Sequence, residues 1–540
     1  MRTLLLATAA LLLATSPTLA DDAAILKRLD AMQHMLELQQ KQIENQRDEI
    51  YSLRTALKRK GVHVARTAGE RTPPDTGEAS IRAAESRIDQ QQIQINDLIG
   101  KFAATEERTR QDTANQPVWS IAAGRPTIAS ADGHFSLAIR SLVQFDTGYF
   151  MQTRNARSLA LPNGPDLSSG SNFRRAQLGI QGVLFDDWSY YFNYDFGSGA
   201  SSGNELQGRI QQAYIEYDGL APFAVRVGAF PPSANLEDAT AAADIMFLER
   251  NAPSDLARSL AGGDGRDALA VIYVGDRLFA SLALTGGKVA DSTLHFDEQQ
   301  AVVVRISDVF YSDNDWKLML SVAGTDLFRA PDATARADSQ RLITMSDGPE
   351  LTIDDNSIKL VSTGALNVSS AWNFGLEEAI EWRNLYAQAG YFGYGVEQRT
   401  VGAPDLNFDG WYAQASWIIT GERRPYNVSN GSFSNPRPRI PFSLNGWGPG
   451  AWELVARYSD LDLNDHPGTL GSSVPLGGIR GGDQRIFTAA LNWYPNAALK
   501  FSLQWQDDEI SRIGTLANGA TNAEVGQSFS TFAFRSQIAL

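Results

Sequence analysis

Eight basic side chains share one setting. Arg140, Arg175, Arg226, Arg305, Lys317, Arg457, Lys500 and Arg535 each lie in a short run where apolar and polar residues alternate, and each falls on the polar side. Alternation with period two means a β-strand whose two residue sets point to opposite faces. Cations repeated along one face of a sheet attract anions, and placed along a passage they favour anion transit. The same face carries Asp146, Asp195, Glu216 and Glu453. These carboxylates could instead pair with the arginines and simply satisfy buried charge.

Other chemistry has less support. The five histidines, His34, His63, His134, His295 and His466, are scattered, and no pair has metal-ligand spacing. There is no nucleophile elbow and no phosphate-cradling Gly-Lys-Ser/Thr loop. Gly262-Gly263-Asp264-Gly265 reads as a flexible loop end, and Asp460 to Asp465 as a solvated strand-end loop without the EF-hand pattern. Asn367 and Asn427 open glycosylation sequons that chance explains. The expectation is a non-enzyme with no metal and no cofactor. Cysteine is absent, so disulfides and thiol chemistry are excluded.

The elements that must position the cations are clearest between Phe173 and Phe196. Ala176, Leu178, Ile180 and Leu184 share one face, and Arg175, Gln177, Gly179 and Gln181 the other. After Asp186-Asp187 the alternation resumes with Tyr190, Phe192, Tyr194 and Phe196 on the apolar side, which makes an antiparallel hairpin. The pattern repeats to Leu540, ending on Phe532, Phe534 and Ile538 opposite Arg535 and Gln537. Between His134 and Leu540 about seventeen runs qualify, with the limits in 358–394 open. A sheet that spans a bilayer must close, and bacterial barrels of this type have even strand numbers, so about 16 is the expected count. A barrel of that size leaves an aqueous channel. Long polar loops over 155–172, 197–208, 329–356 and 423–450 alternate with short turns. The stretch 230–265 lacks period two and is long for a connection. It is expected to fold into the barrel, with Glu237, Asp238, Glu249 and Arg250 as the charges of a constriction.

Residues 1–20 read as a signal peptide, from Arg2 through the apolar Leu4–Ala14 to Thr18-Leu19-Ala20. From Asp21 to about Lys60 the period is seven. Leu29, Leu36, Ile43, Ile50 and Leu57 share one heptad position, with Met32 and Leu53 on its companion. Residues 61–79, with Pro73-Pro74, read as a linker, and Ile81, Ile88, Ile95 and Phe102 restart the repeat. Strict sevens predict a coiled coil through 21–116, formed between several chains; a helical hairpin within one chain is the alternative. The net charge of -15 argues against a nucleic-acid partner. Mean hydropathy is -0.25, a value a membrane barrel reaches because alternate residues face water.

Several motifs resemble those of the phosphate-selective porin O and P family. They are Phe173-Arg174-Arg175-Ala176-Gln177-Leu178-Gly179; Val227-Gly228-Ala229-Phe230 with Pro232; Leu236-Glu237; and Phe247-Leu248-Glu249-Arg250. To these add Trp452 to Ser459 with Leu461 to Asp465, and Leu491 to Asn496. Pro231 stands where members often carry Lys. The resemblance implies a homotrimeric 16-stranded outer-membrane porin with inward-folded loops and basic residues along an anion path. The expected architecture is therefore an all-β transmembrane barrel over 121–540 behind an N-terminal helical coiled coil. It sits in the outer membrane of a Gram-negative bacterium, with the helices in the periplasm. The expected function is passive diffusion of small hydrophilic solutes, anions such as phosphate preferred. A nonselective or cation-preferring porin, a secreted all-β binding or adhesion protein, and an envelope tether are the alternatives.

Overall fold

The computed structural model describes residues 22–64, 76–114, 116–122, 125–152, 167–197, 208–289, 296–353, 358–515 and 519–540. The expected signal peptide over 1–20, much of the expected linker, and parts of the loops at 155–172 and 197–208 lie outside these residues. The chain divides into a helical unit that ends at Pro117 and a β unit that takes nearly all the rest.

The helical unit holds α1 (Asp22–Val64) and α2 (Thr76–Ala114), so helix continues past Gly61 and restarts before Ala79. Arg47 pairs with Asp89 at 2.6 Å and Arg54 with Glu85 at 3.0 Å. Contacts that run in opposite senses along the two helices make this an antiparallel hairpin. Ile43, Ile88 and Ile95 are buried in its seam, with Ile50 packed beside them. The stripe assigned to self-association thus finds a partner inside the chain, because an apolar seam fits an antiparallel neighbour as well as a second copy. Leu53, on the companion position, stays 53% exposed.

Sixteen antiparallel strands form the barrel. They are β1 (Ser136–Gln152), β2 (Gly170–Leu184), β3 (Trp188–Asp195), β4 (Arg209–Leu220), β5 (Phe223–Ala229) and β6 (Arg266–Val274). There follow β7 (Leu278–Lys288), β8 (Gln300–Ser312), β9 (Trp316–Arg329), β10 (Val361–Trp382) and β11 (Leu385–Gln398). The last are β12 (Leu406–Ile418), β13 (Ala451–Asp465), β14 (Ile479–Asn496), β15 (Leu499–Ser511) and β16 (Gln527–Ala539). β16 pairs with β1 from Phe529↔Gln152 to Ala539↔Leu142, which closes the sheet. Closure is what pairs every backbone group and permits a sheet in hydrocarbon. Asp460 to Asp465 belongs to β13 rather than to a loop, and 358–394 supplies two strands, β10 and most of β11. Val118–Ala122 and Arg125–Ala129 form a ribbon on the foot of β1, and Leu342–Asp347 pairs with the start of β10.

The outer face is apolar: Leu178, Leu282, Val322, Leu376, Leu503 and Phe532 are each about half exposed. Among the described residues no helix is long and apolar enough to cross a membrane; strands do the crossing. Trp316 stacks on Trp382 and Trp452 on Trp493 at the end where the turns are short, as an interfacial girdle requires.

The inner face is not uniformly polar. The stretch 230–265 enters the lumen with two helices, α3 (Leu236–Ala239) and α4 (Ala252–Ala261). Asn235 and Asn251 cap them, each accepting a backbone N–H. Leu236, Met246 and Phe247 pack on Val309, Met319, Val455 and Ala490 of the wall. Leu256, Ala257 and Leu260 of α4 join a second cluster with Phe392, Tyr394 and Tyr412. A loop inside a water-filled barrel stays there by burying apolar surface, so this part of the wall carries apolar residues inward.

Two further segments enter. Residues 347–353, expected to be part of an acidic loop, bring Glu350, Leu351 and Ile353 into burial. Residues 424–437 belong to the connection from β12 to β13, which leaves from the short-turn end yet folds inward, burying Arg424 and Phe433.

Candidate functional site

The loops pack against part of the inner wall and leave a cavity beside another part. A cavity of about 640 Å³ lies between the loop 230–265 and the wall of β1 to β4. Seven basic side chains line it, Arg125, Arg140, Arg175, Arg250, Arg258, Arg437 and Lys500, against three acidic ones, Asp238, Asp244 and Asp264. Gln177, Gln211, Gln212, Tyr191 and Tyr214 complete the wall side.

The pairing inside this set decides its net character. Arg258 sits between Asp238 at 2.5 Å and Asp264 at 2.8 Å, so one cation uses two carboxylates. Burial alone would raise the Asp264 carboxyl, but Arg258 and Arg250 hold it below the usual carboxylate range. Arg250 donates to the carbonyls of Glu237 (2.8 Å) and Thr240 (3.1 Å), and Lys500 to that of Ile245 (2.7 Å). A carbonyl fixes a cation without cancelling its charge. Among the described residues Arg125, Arg140, Arg250 and Arg437 pair with no carboxylate.

A second cluster lies just behind Arg175. The Glu249 carboxylate accepts from Arg174 Nε at 2.7 Å and Nη2 at 3.0 Å, and from Arg535 Nη2 at 3.0 Å; Arg175 Nη2 stands 3.5 Å away. Arg535 also grips Asp146 with two bonds of 2.6 Å. Burial would raise the Glu249 carboxyl, but Arg174, Arg175 and Arg535 outweigh it and hold it well below the usual range. Arg174 and Arg175 are neighbours in sequence yet both reach inward, because β1 and β2 shift register between Gln144↔Arg175 and Phe145↔Phe173 and leave Arg174 unopposed.

The other expected cations stand elsewhere. Arg305 is fully buried, donating to the carbonyls of Asn430 (2.9 Å) and Gly431 (2.6 Å) and to Ser321 (3.0 Å). Gly431 has φ +59°, and a Cβ there would come within 3.0 Å of Ser307, so glycine lets the loop close on the wall. Arg457 is 1% exposed and donates to Glu350 at 2.6 Å and to the Glu249 carbonyl at 2.9 Å. Glu350 also accepts from the Ala252 N–H and the Ser459 hydroxyl, both at 2.6 Å. Arg226 pairs with Glu216 at 2.5 Å and lies over the Tyr214 ring, and Lys317 lies over Tyr426. Of the eight cations, Arg140, Arg175 and Lys500 line the cavity. Arg305, Arg457 and Arg535 hold loops in place. Of the constriction charges, Asp238 and Arg250 line the cavity, while Glu237 accepts from Gln388 and Gln414 of the far wall. Among the described residues no group of His, Cys, Asp or Glu could hold a metal.

Residues 158–533 match the model of the family described as phosphate-selective porin O and P. The chain belongs to that family. Porin O of Pseudomonas aeruginosa is 25% identical to it over 401 residues, 72% of this chain and 86% of that relative. Among solved structures, the anion-selective porin from Comamonas acidovorans is 10% identical, covering 75% of this chain and all of that one at a TM-score of 0.43. The outer membrane channel DcaP of Acinetobacter baumannii is 9% identical at a TM-score of 0.41, covering 75% and 97%. Likeness that loose carries no argument; the family match does, and it makes the barrel an outer-membrane porin.

The porin places around this cavity several residues that strand alternation passes over. Arg125 comes from the ribbon before β1, Arg437 from the 424–437 segment and Arg258 from α4. Each lies outside any strand of the barrel, so period two cannot assign it a face. Glu453, expected to pair with a strand arginine, is taken by Arg424 at 2.5 Å. The signal for Arg174 was its adjacency to Arg175, since two successive arginines cannot share one face of a regular strand.

Proposed function

We propose that this porin passes small inorganic anions, phosphate among them, by diffusion along the wall of β1 to β4. The carrying observation is the lining of the cavity, where basic side chains outnumber acidic ones and Arg250 and Lys500 are held by carbonyls rather than by carboxylates. In a narrow aqueous path a fixed charge counts for more than in bulk water, and an anion can trade hydration for guanidinium contacts at successive points. We also place the helical unit in the periplasm and take the working form as a homotrimer in outer-membrane lipid.

A nonselective or cation-preferring porin is the competing reading, and the net charge of -15 favours it. Reversal potentials of single channels under a salt gradient separate the two. The anion reading expects potentials on the anion side in both chloride and phosphate salts, strongest at low ionic strength. A wild-type channel on the cation side would replace it with the general porin.

A further inference from the structure

The cluster behind Arg175 is built like an anion-binding site that already holds its anion. Arg174 meets Glu249 in the two-pronged geometry with which a guanidinium takes a carboxylate or a phosphate. Arg535 adds a third bond, and Arg175, which also lines the passage, completes the ring. Three guanidiniums face two carboxylates there, Glu249 and Asp146, and among the described residues Asp146 is engaged by Arg535 alone.

Glu249 is not needed merely to fasten the loop. Its own backbone carbonyl is held by Arg457, the preceding Leu248 donates to Gln504, and the next turn is capped by Asn251. Phe247 and Leu248, the two residues before Glu249, are buried. The loop therefore has independent anchors, and the carboxylate is available for a different role.

We propose that Glu249 is the resident anion of this porin, a tethered carboxylate that occupies the guanidinium cluster and keeps permeating anions from being trapped in it. Conduction needs sites that attract an ion and then release it. With Glu249 in place a passing anion meets Arg175 at the edge of the cluster and moves on. Without it, a phosphate or carboxylate from the passage enters between Arg174, Arg175 and Arg535 and stays. This inference rests on the anion-path reading given above.

The test uses the full-length porin in planar bilayers, with conductance followed against phosphate concentration. Glu249→Gln keeps the shape and removes the charge. Its conductance should saturate at roughly tenfold lower phosphate than wild type, the effect of one additional charge-assisted hydrogen bond to the solute. The reversal potential should move toward anions, and the double variant Glu249→Gln with Arg174→Gln should return both readings toward wild type. If Glu249 were only a fastener, Glu249→Gln would loosen the loop. Conductance would rise, saturation would stay or move upward, and selectivity would blunt; any of these overturns the proposal. If Glu249→Gln fails to insert, Arg174→Gln alone carries the test: half-saturation must rise while limiting conductance stays at the wild-type value, and an unchanged or lower half-saturation, or a raised limiting conductance, overturns it. A cation-selective wild type would sink the anion-porin reading, yet the difference between variant and wild type would still decide the role of Glu249.

Discussion

Two halves of the same inner wall put arginine to opposite uses. Beside β1 to β4 the guanidiniums of Arg140 and Arg175 front a cavity. Across the lumen, on β8 and β13, Arg305 and Arg457 point inward just as regularly and end under packed loops, bonded to carbonyls and to Glu350. The strand pattern is the same in both. What differs is the apolar company: Val309, Met319 and Val455 give the loops something to bury against, whereas the passage wall offers Gln177, Gln211 and Gln212. Facing inward therefore does not make a cation part of the path. The loops choose which half stays open, and their apolar contacts make the choice.

The sharpest way to break this contrast is at Arg457. Arg457→Leu leaves Glu350 buried without its cation, a loss of about 3–5 kcal/mol for a pair broken on one side. Heat stability on gels should fall and conductance should rise as 347–353 detaches, whereas Arg140→Gln should leave stability nearly unchanged. Equal losses at both arginines would mean that the two halves are not distinct. Next in size is sidedness. Leu178→Arg, on the outer face, should cost about 2–4 kcal/mol if it lies near the bilayer midplane, while Gln212→Arg, in the cavity, should insert normally. Equal damage from both would place water on neither side.

Smaller is the effect on selectivity. Arg140→Glu should move the reversal potential toward cations, most clearly at low salt, and Lys317→Gln, outside the cavity, should move it little. A larger response at Lys317 would relocate the path. The smallest effect expected is with acid. Glu249 and Asp264 are both held below the ordinary carboxylate range. Stability from such groups is fully present above the unfolded carboxyl pKa of about 4 and is lost only as pH falls through the depressed native value. Recordings between neutral pH and about pH 4 should therefore show no change of selectivity traceable to these two groups. A shift toward anions in wild type over that window, absent from Glu249→Gln, would contradict the ion pairing seen around Glu249.

Much of the barrel was legible because alternation survives sequence divergence. Leu499, Phe501, Leu503 and Trp505 against Lys500, Ser502, Gln504 and Gln506 assign a strand and its two faces without further help. The inward course of 347–353 and 424–437 was not legible. Gly, Pro, Asn and Asp mark a turn by their backbone preferences, and those preferences are the same whether the turn meets solvent or a lumen. The inward turn of Arg174 comes from a register shift between paired strands, at which the successive arginines only hint. The helices were hidden differently: the repeat of Ile43, Ile50, Ile88 and Ile95 demands an apolar partner and does not say whose.

The seam of the barrel has a consequence for the order of events in folding. Arg535 meets Asp146 across 389 residues of chain, and every ladder bond of β16 to β1 spans a similar distance. Contacts of such high sequence separation form late and slowly, because the entropy of closing the intervening chain is lost before they return anything. Until they form, β1 and β16 present open edges, which hydrocarbon does not tolerate and which invite pairing with other chains in water. Before closure the polypeptide is an aggregation-exposed species. Its survival in transit depends on kinetics and on whatever shields those edges, and only afterwards on the stability of the finished ring.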